Sequence, residues 1–391
     1  MRVWLLTNAP SPYQEELFAE VRRQGQIDLT VAYLRDDSPA APGAGAKQGT
    51  VLGGFGLGRD ELRVHPAALR AVRSGEFDVC ILSGLYTSPT FLACAASLHR
   101  RGRPWAVWLE QPRRGKAEAP WSSGVITAGP VRAVRTRVLR AVLRAAPRTI
   151  GIGTAAVEAY RELADLPADR LLSLPYCCNV DRYGRVAPEA VAAVRRQWGL
   201  EDDQTVVLFS GQMIARKGVE TAIAAFAEVA DDVPTAVLVL LGEGPERATY
   251  EAAVPAGLRD RVRFVGFRPQ AELPACFAAA RVFLFPSRHD GWAVVINEAC
   301  GAGLPIVVSR QTGAARDLVV PGENGVVVDR DDVSGFATGL RGYLLDSDRA
   351  AQHGAASRAR VAQFDAAAGA ATLAHHAREI AAASGAIDSA H

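Results

Sequence analysis

Short apolar runs recur along this 391-residue chain, each followed by a stretch with helical spacing, and that alternation restricts the fold more than any other feature. In the first half the runs at 3–6, 27–34, 77–82, 105–109, 149–153 and 171–176 read as strands, with helical patterns over about 13–23, 88–101, 131–146 and 155–164. The second half is more regular. Strands are expected at 205–209, 235–241, 262–266, 282–285, 305–308 and 325–328, and helices alternate with them, followed by helical patterns at 333–345, 349–364 and 366–383. Continuous apolar strands that alternate with helices imply parallel sheets covered on both faces. The fold class is therefore α/β, and the length suits two or three domains, here two Rossmann-like ones. Gly-, Ala- and Pro-rich stretches at 36–59 and 112–130 read as long loops.

Composition narrows the function classes. A hydrophobic content of 49% supplies ample material for packed cores, and a net charge of +2 gives no bulk reason to expect a nucleic-acid partner. The six cysteines, Cys80, Cys94, Cys177, Cys178, Cys276 and Cys300, show neither a Cys-x-x-Cys pair nor histidine spacing suited to zinc. They read as reduced thiols of a cytoplasmic protein. The opening strand is too short for a signal peptide and no apolar run reaches the ~18 residues of a membrane span, so a soluble protein is expected.

Chemistry concentrates in 287–310, Ser-Arg-His-Asp-Gly-Trp-Ala-Val-Val-Ile-Asn-Glu-Ala-Cys-Gly-Ala-Gly-Leu-Pro-Ile-Val-Val-Ser-Arg. The pattern is loop, helix over about 293–302, then strand, directly after the strand at 282–285. The loop and the helix N-terminus then lie at the carboxyl edge of a parallel sheet, where free N–H groups and the helix dipole favour an anion. Asp290 precedes the helix and Glu298 lies within it, eight residues on. A rise of 1.5 Å per residue would set the two carboxylates roughly 12 Å apart. One ligand touching both must be long, with hydroxyls at each end and negative charge between, as in a nucleotide sugar. The plain alternative is a helix N-cap at Asp290 and a solvated Glu298.

Asp290-x7-Glu298, with Gly291-Trp292 after the first acid and an alanine after the second, resembles the Glu-x7-Glu signature of family-four retaining glycosyltransferases, whose fold is GT-B. The resemblance covers most of the chain. It implies two Rossmann-like domains with parallel sheets facing across a cleft. Asp290 would meet the donor hexose and Glu298 the ribose hydroxyls, and Asp290 is one methylene shorter than the usual Glu. Residues 176–183, Tyr-Cys-Cys-Asn-Val-Asp-Arg-Tyr, resemble the family's crossing between domains, and 366–383 its terminal helix. The expected division is 1–183 with 366–391 as an acceptor-binding domain, and 184–365 as a nucleotide-sugar-binding domain.

Ser210-Gly211-Gln212-Met213-Ile214-Ala215-Arg216-Lys217-Gly218 follows the strand at 205–209 and leads into a helix near Val219. Glycine permits close backbone approach, and two adjacent cations at a helix N-terminus can hold a diphosphate. The segment is similar to the family's Gly-Arg-(x)-Lys-Gly loop, with Gln212 in the place of the first Arg and Arg216 supplying its charge. The same resemblance adds Gly211, Gly244 in a Gly-x-Gly-Pro turn, Phe267 and Arg268 beside the nucleobase, and Gly291, Trp292, Ala293 and Val294 to the donor-binding set, with Gly313 nearby. On the acceptor side it points to the loop with Ser11 and Tyr13, to Tyr86, and to Glu110, where many relatives carry His. Glu110 would accept a proton or stabilise an oxocarbenium-like centre. It reads equally well as a salt-bridged structural acid, and Tyr86 as a packed aromatic. Glu110, Arg216, Lys217 and Asp290 form the expected catalytic set.

Three other features compete for attention. Arg132, Arg135, Arg137, Arg140 and Arg144 make the helix at 131–146 basic and amphipathic, which suits either a solvated face or weak contact with an anionic membrane surface. Gly151-Ile152-Gly153-Thr154-Ala155-Ala156 fits a dinucleotide fingerprint but falls late in the first domain. Asp346-Ser347-Asp348 looks like a metal-binding Asp-x-Asp, and its place between helices reads better as a turn. The resulting expectation is a metal-independent, retaining hexosyltransferase without a cofactor, cytoplasmic or peripheral to the inner membrane face. Its donor would be a UDP-sugar first and a GDP-sugar second, its acceptor a small molecule or a glycan. The alternatives are a sugar-nucleotide epimerase or glycoside phosphorylase on the same scaffold, a nicotinamide-dependent oxidoreductase, and a non-catalytic sugar-nucleotide sensor.

Overall fold

A computed structural model of the chain describes residues 1–36, 48–55, 63–112 and 129–388, with the side chains of 129 and 384–388 excepted. Most of the expected loop at 112–130, and the central part of the one at 36–59, lie outside these residues. Among the described residues, 1–178 and those from Ala366 onward form one compact unit, and Asn179–Asp365 forms the second. The division thus follows Cys178 and not Tyr183.

The first unit is built on seven strands: β1 (Arg2–Thr7), β2 (Asp28–Tyr33), β3 (Thr50–Val51), β4 (Val79–Ser83), β5 (Trp105–Leu109), β6 (Arg148–Gly151) and β7 (Leu171–Ser173). Their order in the sheet is β3-β2-β1-β4-β5-β6-β7, and every pairing is parallel. Here β4 and β5 are buried along their whole length, which is why they read as unbroken apolar runs. Trp105 and Trp108 anchor this core, and the Trp108 indole N–H donates to the Leu174 carbonyl at 3.0 Å. The helix Ala366–Asp388 packs against the helix Pro12–Gln24, where Gln24 Nε2 donates to Ala367 O at 2.9 Å.

Six strands make the second sheet: β8 (Thr205–Ser210), β9 (Ala236–Leu241), β10 (Val262–Gly266), β11 (Val282–Phe285), β12 (Ile306–Ser309) and β13 (Gly325–Val328). They are ordered β10-β9-β8-β11-β12-β13, again all parallel. Phe209, Phe285, Phe283 and Phe277 stack in sequence through its core with centroids 5.5–6.0 Å apart. Both sheets have the doubly wound order in which the chain reverses direction beside the first strand. Ligands in such sheets bind outside the carboxyl ends of the strands flanking that reversal. In the second unit those strands are β8 and β11, and in the first β1 and β4.

Candidate active site

The loops that leave β8 and β11 carry the two strongest motifs of the sequence, and the fold brings them together. Lys217 Nζ lies 2.5 Å from Asp290 Oδ2, and Arg216 Nη1 lies 3.3 Å from the same oxygen. All three side chains are largely shielded, with 13%, 14% and 24% exposure for Lys217, Asp290 and Arg216. The Arg216 guanidinium also donates to the His289 carbonyl at 2.7 Å, and the Lys217 ammonium sits 5.1 Å above the Phe285 ring. Two cations converging on one carboxylate leave local positive charge beside the end of the sheet. That is the condition for holding an anion such as a diphosphate.

Glycine makes this convergence sterically feasible. Gly218 has φ +68°, and a Cβ there would stand 2.2 Å from the Pro286 carbonyl, so only glycine lets the β8 loop press against the β11 loop. Gly244 plays the same part in the next loop, since its Cβ would lie 2.4 Å from the Met213 carbonyl. Met213 N–H donates to Glu243 O at 2.9 Å and ties the two segments. Across the acidic loop Gly313 N–H donates to Asp290 O at 3.0 Å and Ala314 N–H to Trp292 O at 2.9 Å.

Arg288, which the sequence reading passed over, braces the β8 loop from behind. Its backbone N–H donates to Arg216 O at 2.9 Å and its Nη1 to Ala215 O at 2.7 Å, while Nε reaches Asp331 Oδ1 at 2.7 Å and Nη1 also meets Glu220. It belongs to the same Ser-Arg-His-Asp motif as Asp290, and that proximity was the available signal.

The helix after the acidic loop is shorter than expected, Val295–Gly301 instead of 293–302. Ala293 adopts φ +76°, a left-handed conformation that costs a residue with a Cβ about 1–2 kcal/mol. The chain therefore turns between the two acids, and the 1.5 Å rise cannot be carried from Asp290 to Glu298. Glu298 is partly buried and accepts from the Tyr183 hydroxyl at 2.8 Å, so it is a braced acid and not a solvated one. Trp292 is enclosed. Its side chain is 1% exposed, donates from Nε1 to Asn297 Oδ1 at 2.9 Å and packs on Phe364, so the indole belongs to the core and only its backbone faces the loop.

Other expected donor contacts are placed less tightly. The Gly211 N–H donates to Leu241 O at 2.9 Å, at the same strand ends. Gly291 is half-buried and sits against Gly313. Val294 is the residue that caps the short helix at its N-terminus. Phe267 is 64% exposed beyond the end of β10, beside Arg268, whose side chain is mostly covered. Gln212 is exposed.

In the first unit Glu110 stands at the carboxyl end of β5. Tyr176 donates its hydroxyl to Glu110 Oε1 at 2.8 Å, and Tyr160 donates to the Glu110 carbonyl. Burial pushes both phenols well above their ordinary range, with Glu110 and a neighbouring tyrosine adding to the effect. They remain neutral donors at any working pH. Glu110 itself is exposed, which separates it from a buried structural ion pair. Tyr13 lies with its ring 4.6 Å from that of Tyr176, and so falls into the same cluster. Ser11 precedes the first helix without capping it and donates instead to Gln14 Oε1 at 2.9 Å. Tyr86 packs on the apolar core of the unit. At the reversal of this sheet Asn8 Oδ1 accepts from Leu85 N at 3.0 Å.

The two competing motifs resolve locally. Asp346 caps the helix Ser347–Val361 by accepting from Arg349 N at 2.9 Å. Gly153, at φ +79°, starts the helix Thr154–Ala164 after β6, away from the reversal point of its sheet. The six cysteines are buried free thiols, and burial holds those of Cys94 and Cys300 up at about 12.

Residues 191–360, which contain the whole Lys217–Asp290–Glu298 constellation, match the family described as glycosyl transferases group 1. The chain carries a group 1 glycosyltransferase domain. The chain is 36% identical over 200 residues to the GDP-mannose-dependent alpha-(1-6)-phosphatidylinositol monomannoside mannosyltransferase of Mycolicibacterium smegmatis, covering 49% of this chain and 52% of that protein. It is 33% identical over 191 residues to the alpha-D-kanosaminyltransferase of Streptomyces kanamyceticus, covering 48% and 49%. The chain thus spans about half the length of the curated relatives it matches. Among solved structures, Anabaena Alr3699/HepE in complex with UDP superposes with a TM-score of 0.75 over 96% of this chain and 99% of that one at 20% identity. Sucrose-phosphate synthase from Thermosynechococcus elongatus gives 0.73 over 98% and 100% at 21% identity. The group 1 domain and the seven-stranded unit together make a GT-B fold.

Proposed function

We propose that the protein is a retaining hexosyltransferase whose second unit binds a nucleoside diphosphate hexose. The observation that carries this reading is the convergence of Lys217 and Arg216 on Asp290 at the reversal of the sheet. In this reading the two cations take up charge that grows on the departing diphosphate, an interaction whose value rises as the glycosidic bond breaks. Glu298, held by Tyr183, accepts hydrogen bonds from the ribose. Asp290 contacts the hexose, and Glu110, held by Tyr176, serves the acceptor side with Tyr13 and Ser11. Retention by front-face attack is taken from the family. Because the side chains themselves supply the positive charge, catalysis should proceed without a metal or other cofactor and survive EDTA.

The GDP-mannose-dependent mannosyltransferase among the relatives favours GDP-mannose over the UDP-sugar expected from the sequence. Calorimetry with UDP, GDP and their hexose conjugates, followed by product analysis on a panel of glycan and small-molecule acceptors, tests both points. Binding of either nucleotide together with acceptor-dependent release supports the proposal. Donor conversion without any acceptor would indicate an epimerase, and stabilisation by NAD(P) alone would end the proposal. Contact with an anionic membrane has one supporting observation of its own, since Val131 and Val134 are exposed beside Arg132 and Arg137 on the helix Gly129–Ala145. No described helix is long and apolar enough to cross a membrane.

A further inference from the structure

We infer that His375, His376 and Glu379 on the helix Ala366–Asp388 form a binding site for a divalent transition-metal ion of the zinc class. The three side chains offer one ligand atom each, all within 4.8 Å of one another. Their spacing along the chain, with Glu379 three and four residues beyond the histidines, puts them on one helical face. Two ligands each about 2.05 Å from a tetrahedral ion stand roughly 3.3 Å apart. The distances to Glu379 Oε2 bracket that value, at 3.0 Å from His376 Nδ1 and 3.7 Å from His375 Nε2.

A second observation, outside the cluster, sets the orientation of the buried ligand. His376 is only 9% exposed, and its Nε2 lies 3.0 Å from the Ser173 carbonyl at the end of the edge strand β7. A carbonyl oxygen only accepts, so Nε2 must carry the hydrogen. In the neutral ring the Nδ1 lone pair then faces a carboxylate oxygen at 3.0 Å. Two lone pairs at that distance repel unless a cation lies between them, either a second proton or a metal ion. A histidine whose far N–H is anchored on a backbone carbonyl is the usual arrangement around a bound metal. Glu379 and His375 complete a three-ligand set of the imidazole and carboxylate type that zinc prefers. An ion here would fix the His376 ring in the orientation that donates to the Ser173 carbonyl, a role independent of the donor site.

The test uses the full chain without a polyhistidine tag, treated with EDTA and dialysed. Zn2+ is titrated by calorimetry, and Co2+ by visible absorption. One equivalent of Zn2+ should bind, and Tm should rise by a few degrees at a free ion concentration about 100-fold above Kd. Co2+ should give a d–d spectrum without a thiolate charge-transfer band, the six cysteines being buried. His375→Ala changes an exposed residue and leaves the fold intact, and Glu379→Gln keeps the side-chain shape. Each should weaken Zn2+ binding at least about tenfold, since changes even to the outer partners of a ligand cost that much. No binding by the unaltered chain, or affinity undiminished in either variant, would overturn the inference and leave a proton as the cation between His376 and Glu379.

Discussion

Replacing Lys217 by Met tests the diphosphate contact while keeping the side-chain stem over Phe285. The ammonium lost is 13% exposed and sits 2.5 Å from Asp290. Removing one partner of a fully buried pair costs about 3–5 kcal/mol when the other charge is orphaned. Here Arg216, 3.3 Å from the same carboxylate, keeps Asp290 paired, so the stability loss should be nearer 1–3 kcal/mol. For a unit of this size that corresponds to a drop in Tm of roughly 2–12 °C. The loss in nucleotide affinity is set by a charge-assisted hydrogen bond worth about 1.5–3 kcal/mol, or roughly 10- to 150-fold in Kd. Scanning fluorimetry and calorimetry with UDP and GDP measure the two effects separately, and Lys217→Arg should recover part of the affinity by restoring the charge. A fall in Tm with Kd unchanged within twofold would show that Lys217 serves only Asp290, and the diphosphate assignment would be wrong.

Glu298→Gln, which can still accept from Tyr183, should weaken UDP or GDP binding about tenfold and leave inorganic pyrophosphate binding unchanged; equal loss for both ligands would contradict a ribose contact. Arg288→Ala removes the brace on Ala215 and should weaken pyrophosphate and nucleotide alike by about tenfold, with Arg288→Lys recovering little because it cannot reach Ala215 O, Glu220 and Asp331 together; nucleotide calorimetry reads both. Burial and, after it, the Arg349 charge hold His353 below its ordinary value of 6.5, so the unfolded chain takes up this proton first. Stability from His353 is therefore present above pH 6.5 and is lost as pH falls from there through the depressed value. Tm measured from pH 8 to 5 should fall at the acid end, and His353→Gln should flatten that slope.

The two sheets were legible because their central strands are buried on both faces, which writes them as unbroken apolar runs such as 205–209, 235–241 and 282–285. What escaped has other origins. The helix Pro66–Ser74 is only nine residues long and fully buries just Ala68 and Val72, so few apolar positions mark it. The helix Pro188–Gln197 has no fully buried residue and gives almost no apolar stripe to read. The edge strand β3 is two residues long and is held by pairing to β2, a tertiary fact with no local signature.

At the site, the residue types were readable and their conformations were not. Glycines at 218, 244 and 313 could be recognised by position, but what they permit, one loop's backbone pressed on another's carbonyl, is a property of loops distant in sequence. The same limit explains Trp292 and Glu298. Nothing local to the sequence shows that Asn297 and Phe364 enclose the indole after Gly291, or that Tyr183, 115 residues earlier, holds the acid on the short helix. The left-handed turn at Ala293 links these two outcomes: by bending the chain there, it sends Trp292 inward while leaving Glu298 on the short helix beside the strand ends. Strain of this kind persists only where the surroundings over-determine it, and it clusters at ligand sites. The loop hydrogen bonds from Gly313 to Asp290 and from Ala314 to Trp292 restrain the residues that lead into the turn. The departure from local preference at Ala293 is thus located between the two acids that the proposed donor must reach.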